Sequence, residues 1–125
     1  MSPPPKRLVL DFLKLCFVQK QPRAAFDRFI SPTLIQHNPG LADGAEPALT
    51  SVEQRLRENL QLHFDIRRTI AENDLVVVHA LVKSDPKDRG RAVVDIFRVN
   101  EGKIVEHWDV VQLIPETSVS PHPLF

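Results

Sequence analysis

From Lys6 to about Lys20, apolar residues fall at positions 8, 9, 10, 12, 13 and 15 to 18, which predicts a helix with a broad buried face. Pro22 suits the first turn of a second, short helix over PRAAFDRFI, residues 22–30, which Ser31-Pro32 should stop. In TLIQHNPGLADG, both Asn38-Pro39-Gly40 and Asp43-Gly44 mark turns. A third helix is expected to begin near Thr50, where Thr50 and Glu53 have capping-box spacing. Val52, Leu56, Leu60 and Phe64 then recur at every fourth position. Beyond them the period shortens to that of strands, expected at about 65–72, 75–84, 91–99 and 103–114.

Helices followed by an antiparallel meander predict the α+β class: a roll of three N-terminal helices packed on a curved antiparallel four-stranded sheet. A sheet covered in this way leaves room for a blind pocket between its concave face and the helices. Residues 1–125 read as a single domain, with 1–5 a stiff proline-rich leader and 115–125 an irregular tail.

A hydrophobic content of 42% with 26% charged residues argues against disorder. Lys+Arg and Asp+Glu both total 16, so charge gives no reason to expect nucleic acid or an anionic membrane as partner. The lone Cys16 can form neither an internal disulfide nor a cysteine-based zinc site. The apolar run LVLDFLKLCFV is interrupted by Asp11 and Lys14 and lacks a small-residue cleavage site, so a soluble, cytoplasmic protein is expected. The absence of tyrosine excludes any mechanism that needs a phenol.

GKIVEHWDVVQ, residues 102–112, places Glu106, His107 and Asp109 around Trp108 in an apolar strand. A three-residue loop with Gly102 in the left-handed position would set Val99 opposite Lys103. Phe97 then opposes Val105, Asp95 opposes His107, and Val93 opposes Asp109. Strict alternation gathers these residues on one face. The other face carries Val94, Ile96, Arg98, Ile104, Glu106, Trp108 and Val110, with Glu106 in diagonal reach of Arg98. Two carboxylates and an imidazole on an apolar half-face are costly to bury unless they are paired or have a function. The outer face needs its own cover. A homodimer joined sheet to sheet, with Trp108 in or near the contact, would supply it.

LIQHNPGLADG, VVDIFRVNEGKIVEHWDVVQ and the helix-then-meander order resemble SnoaL-like proteins, the polyketide cyclase branch of the nuclear transport factor 2-like superfamily. The resemblance spans roughly residues 6–114. It implies a cone-shaped α+β roll around a pocket closed by helices, often dimeric. It further implies that an acidic residue on the last strand acts as acid/base in an aldol closure without metal or cofactor; the matching position is Asp109. The family pattern has a histidine on the preceding strand where this chain has Asp95. Steroid-isomerase-like and scytalone-dehydratase-like sites need tyrosines. An epoxide-hydrolase-like Asp-Arg-Asp site would need Arg98 on the other face.

The candidate catalytic residues are therefore Asp109, Asp95 and His107, with the Asp95–Asp109 pair expected to hold a proton above about 3.9. Asp95 could instead serve as a structural partner of His107, and His107 could orient either carboxylate. Candidate ligand-contacting residues are His37, His79, Phe97, Trp108, Phe12 and Phe17. His37 would close the pocket mouth or cap the backbone. Cys16 is core or cavity wall, since no cation that would activate a thiol is evident. His37, His79, Asp95 and His107 have ligand types suited to zinc or iron, but their spacing matches no short motif, so no metal is expected. Two functions remain open. One is a cofactor-independent enzyme performing aldol-type cyclisation or isomerisation on a small hydrophobic carbonyl compound. The other is a non-catalytic small-molecule-binding or dimeric scaffold module.

Overall fold

The computed structural model describes residues 3–125, so Met1 and Ser2 of the expected leader lie outside the described residues. Pro5, placed in the leader by the sequence, opens the first helix. Helix α1 spans Pro5–Leu13 and continues into a π-helical turn over Lys14–Val18. Helix α2 spans Pro22–Phe29, with Pro22 in the first turn where its missing N–H costs nothing. Strand β1 (Ile30–Gln36) follows directly, then α3 (Ala45–Glu58). The meander is β2 (His63–Glu72), β3 (Leu75–Lys83), β4 (Arg91–Asn100) and β5 (Lys103–Leu113).

Among the described residues the sheet has five strands rather than four, in the order β1-β5-β4-β3-β2. The α+β class and the antiparallel meander stand; the correction is β1, which runs parallel to β5 at the edge. Ser31, Pro32 and Thr33 hide this strand in the sequence. Proline cannot donate to a ladder, and it is tolerated here because the register is interrupted between Ile30 and Ile35 on an edge strand. The third helix starts at Ala45, five residues before Thr50, after Gly44 at φ 101° and without a side-chain cap. It ends at Glu58, so Leu60 is 78% exposed and Phe64 belongs to β2. The inward stripe is instead Ala48, Leu49, Val52 and Leu56.

The β4–β5 hairpin also differs in register. Its loop has two residues, Glu101 and Gly102, both with positive φ (50° and 77°), so Asn100 faces Lys103. Val99 pairs with Ile104 and Arg98 with Glu106, leaving Val105 as the extra residue of a bulge. Asp95 therefore faces Asp109, and His107 faces Phe97. The slip amounts to two positions beyond the bulge, so these side chains keep their faces. Ile104, expected outside, lies before the bulge and is fully buried beside Val99.

The core lies between the helices and the inner sheet face. Leu8, Val9, Leu13 and Cys16 pack toward Val76, Val78, Ala80 and Ile104. Phe12 makes edge-on contacts with Phe26, Phe29 and Phe97 at centroid distances of 5.5, 6.3 and 6.3 Å. The outer face of β2 and β3 meets the chain's own tail. His79 Nε2 donates to the Leu124 carbonyl at 2.8 Å, and Arg67 sits over the Phe125 ring at 4.7 Å. No helix among the described residues is long and apolar enough to cross a membrane.

Gly90 is a fixed point of this architecture. Its φ is +86°, and a Cβ there would meet the Val82 carbonyl oxygen at 2.7 Å. Gly90→Ala should lower unfolding free energy by about 1–2 kcal/mol or more, from backbone strain and displacement of β3. A urea midpoint unchanged from the parent would contradict this account of the turn.

Candidate active site

A cavity of about 270 Å³ lies between the inner faces of β4 and β5 and the helices. Phe12, Phe17, Phe64, Val93 and Phe97 make much of its wall apolar. Phe17, carried in by the π turn, stacks on Phe64 at 4.8 Å. Gln36, Asn38, Asp95, His107 and Asp109 form a polar cluster in the wall; Arg55 and Arg91 also line the cavity.

The polar cluster is built from two strands and the end of a third. Asp95 on β4 and Asp109 on β5 are directly paired, and His107 is one side-chain repeat before Asp109 on the same face. Strand β1 adds Gln36 opposite His107, and the chain continues to Asn38. His107 Nδ1 lies 2.8 Å from Gln36 Oε1, and its Nε2 lies 2.8 Å from Asp95 Oδ1. Asn38 Nδ2 donates to both oxygens of Asp109, at 3.0 and 2.9 Å.

Backbone donors fix the chemistry of this network. The Asn38 N–H donates to Gln36 Oε1 at 3.1 Å, which requires the oxygen of that amide to face inward. His107 Nδ1, facing the same oxygen, must then carry a proton and donate. One further proton lies between His107 Nε2 and Asp95: either a neutral imidazole accepts from a carboxylic acid, or an imidazolium donates to a carboxylate. In the same way Gly40 N–H donates to Asn38 Oδ1 at 2.8 Å, turning the Asn38 amide nitrogen toward Asp109. Asp109 is thereby held as an acceptor.

Asp95 is 7% exposed, the one charged side chain in the buried set among the described residues. Burial pushes its carboxyl above the ordinary range. The hydrogen bond and charge of His107 oppose that shift, the charge of Asp109 adds to it, and Arg55 opposes it more weakly. Burial thus works against the ionised form of Asp95 beside the Asp109 acceptor.

Of the expected ligand contacts, Phe12, Phe17 and Phe97 line the cavity, whereas His37, His79 and Trp108 do not. His37 stacks on Trp108 at 4.6 Å and 5° on the outer face, with Nε2 2.7 Å from Glu106 Oε2. That contact, followed by Arg98, holds Glu106 below the usual carboxylate range. Alternation explains the correction: Gln36 and Asn38 point inward, so His37 between them points out. His79 is likewise outward, because its neighbours Val78 and Ala80 are fully buried; its Nδ1 accepts from Arg68. His37 and His79, on the outer face, therefore do not join Asp95 and His107. Asp95, His107 and Asp109 do bring ligand atoms within 4.8 Å of one another. Both ring nitrogens of His107 are already engaged, so a cation there would have to break one of those contacts. Burial pushes the Cys16 thiol up to about 12, and it belongs to the core rather than to the cavity wall.

Gln36, Asn38 and Arg55 are site residues that sequence reasoning missed. Reading residues 30–38 as a strand would have put Gln36 and Asn38 on one face. Helical spacing from Ala48, Ser51 and Val52 would have placed Arg55 on the inner stripe.

A family model described as a SnoaL-like domain matches residues 9–107. This bears out the resemblance carried by QHNP and DIFRVNEGKIVEHWDVVQ. No curated protein matches the sequence. IdmH, a candidate polyketide cyclase from Streptomyces antibioticus, is 18% identical with a TM-score of 0.69, covering 86% of this chain and 91% of that one. An NTF2-like protein of unknown function from Cytophaga hutchinsonii is 15% identical with a TM-score of 0.72, covering 90% and 93%. AclR, a candidate hydroxylase from Streptomyces galilaeus, is 20% identical with a TM-score of 0.71, covering 87% and 79%. Identities this low show the fold alone.

The raised Asp95 makes a test of the cluster. A carboxyl whose folded pKa exceeds its unfolded value near 3.8 stabilises the protein fully below that value. That contribution is lost as pH rises through the folded pKa. Asp95→Asn offers His107 Nε2 a donor as the protonated carboxyl does, but removes the titration. In urea unfolding the variant should gain on the parent as pH rises above about 4. Parallel pH profiles for the two proteins would sink this assignment.

Proposed function

The chain belongs to the SnoaL-like family, and on that basis we propose that it is a cofactor-independent enzyme performing acid/base chemistry on a small hydrophobic carbonyl compound. The observation that carries the reading is Asp109, an acceptor carboxylate on the cavity wall, paired across the strands with the buried, proton-holding Asp95–His107 couple. Asp109 takes the proton from carbon next to the substrate carbonyl, and the electron pair of that C–H bond becomes an enolate. The proton held between Asp95 and His107 is redirected from His107 Nε2 to the enolate oxygen, so that the Asp95–His107 contact is given up in this step while Gln36 keeps hold of Nδ1. In an aldol closure the enolate carbon bonds to a second carbonyl carbon, and the resulting alkoxide takes that proton. Transfer from Asp109 to Asp95 restores the starting state, with no net change in charge or oxidation level. Without the second carbonyl, returning the proton to a different carbon gives isomerisation.

Asp109→Asn preserves shape and one acceptor oxygen but cannot take a carbon-bound proton. Exchange of hydrogen for deuterium next to the carbonyl of 1-phenylpropan-2-one, followed by NMR in D₂O, reads this step. The variant should fold, still bind, and lose roughly 10²-fold or more of the exchange above the buffer rate. A variant as active as its parent would end the catalytic reading. A second reading, a binding module, draws on the closed hydrogen bonding of the cluster: both His107 nitrogens and both Asp109 oxygens already have protein partners. Binding of the ketone without exchange by the parent would favour it.

The same proposal includes a homodimer through the outer face of β4, β5 and β1. Ile35 and Val110 stand 48% and 68% exposed there, flanking the His37–Trp108 stack. Trp108→Glu should shift the protein toward monomer in sedimentation at micromolar concentration. A monomeric parent under those conditions would remove the dimer. A cytoplasmic location accords with the unpaired cysteine.

A further inference from the structure

Arg55 is a cation in the cavity wall without an ion-pair partner among the described residues. It projects from α3, and its buried Nη2 has no hydrogen-bond partner among the described residues. A buried guanidinium nitrogen left unpaired costs stability, and a helix can place alanine or leucine there instead. Arg91, at the start of β4, lines the same cavity. Burial lowers the pKa of Arg55, the charge of Arg91 lowers it further, and Asp95 and Asp88 oppose the shift. Neither acid answers the cation directly. Asp95 is bound to His107, and Asp88 accepts from the backbone N–H groups of Ser84 and Gly90.

We infer that Arg55, with Arg91, forms an anion subsite in the cavity, so that the ligand of this pocket carries a carboxylate as well as an apolar body. The guanidinium is a planar fork of donors that matches a carboxylate, and the site already bears the charge cost before the ligand arrives. The cavity volume of about 270 Å³ corresponds to about nine water-sized groups, at roughly 30 Å³ each, the scale of a small aromatic compound. An anchored carboxylate would also orient the ligand between Arg55 and the Asp109–Asp95 pair. Insofar as it names a keto acid as the substrate class, the inference rests on the enolisation reading above. The anion subsite itself does not.

Phenylpyruvate and its uncharged counterpart 1-phenylpropan-2-one separate the two. NMR shift titration of the full chain at low salt should show phenylpyruvate binding at least tenfold more tightly. Arg55→Met should bring the two ligands within about twofold, and Arg55→Lys, which keeps charge without the fork, should fall between. Asp109→Asn should keep the preference. Arg55→Met should melt no lower than the parent, because it removes a partly buried cation whose Nη2 is unpaired among the described residues; a purely structural arginine would lower the melting temperature. Equal affinities, no phenylpyruvate binding at millimolar concentration, or a preference untouched by Arg55→Met would each overturn the subsite. A charge preference without carbon-hydrogen exchange would leave the subsite standing and remove the enolisation. Exchange without preference would do the reverse.

Discussion

A carboxyl group buried in a largely apolar wall must be given a partner or a proton, and Asp95 shares one proton with His107. Dehydrating an unpaired carboxylate costs several kcal/mol even after relaxation, comparable with the whole margin of a domain this size. His107 meets that demand from the neighbouring strand, and it can do so only with its ring turned so that Nε2 faces Asp95. Gln36 fixes the ring from the other side. The position of Gln36 depends in turn on β1 pairing with β5, where Gln36 faces His107 in register. The edge strand therefore contributes to the chemistry of the cavity as much as to the sheet.

The two sheet faces carry opposite solutions to the same problem of charge in a strand. On the inner face, Asp95 is bonded to His107 and Asp109 to Asn38. On the outer face, Arg98 joins Asp74 and Glu106 at 2.8 and 3.0 Å, and His37 closes on Glu106 above the Trp108 ring. The outer ladder is partly exposed and screened, so its ion pairs contribute little to stability individually. The Val105 bulge is where the alternation is reset between the buried hairpin tip at Ile104 and the functional stretch from Glu106 onward.

Family membership and the site carry different weights. The SnoaL-like match and the structural neighbours account for the helices and the sheet around a cavity, while relatives of this shape include a candidate cyclase, a candidate hydroxylase and a protein of unknown function. The chemistry of this chain is carried by its donor set: an aspartate pair across β4 and β5, a histidine between them in sequence order, and an arginine whose buried Nη2 has no partner among the described residues. Those residues, rather than the fold, restrict the chemistry.

The sequence by itself determined the α+β order, the four meander strands to within a few residues, and the common face of Asp95, His107 and Asp109. Those features follow from local periodicity, and parity along a strand survived even a misread turn because the slip was two positions. Strand β1 was not legible, because Pro32 and the interrupted register erase its alternation, and its identity rests on a parallel partner some seventy residues away. The same omission misdirected His37, while the unbroken apolar run VVVHALVK left the face of His79 unmarked. Only the tertiary structure decided that Gln36 sets the His107 tautomer, that Asn38 holds Asp109, and that the buried Nη2 of Arg55 finds no partner among the described residues. Each depends on which atoms meet across distant segments, and periodicity encodes the face of a side chain but not its neighbour.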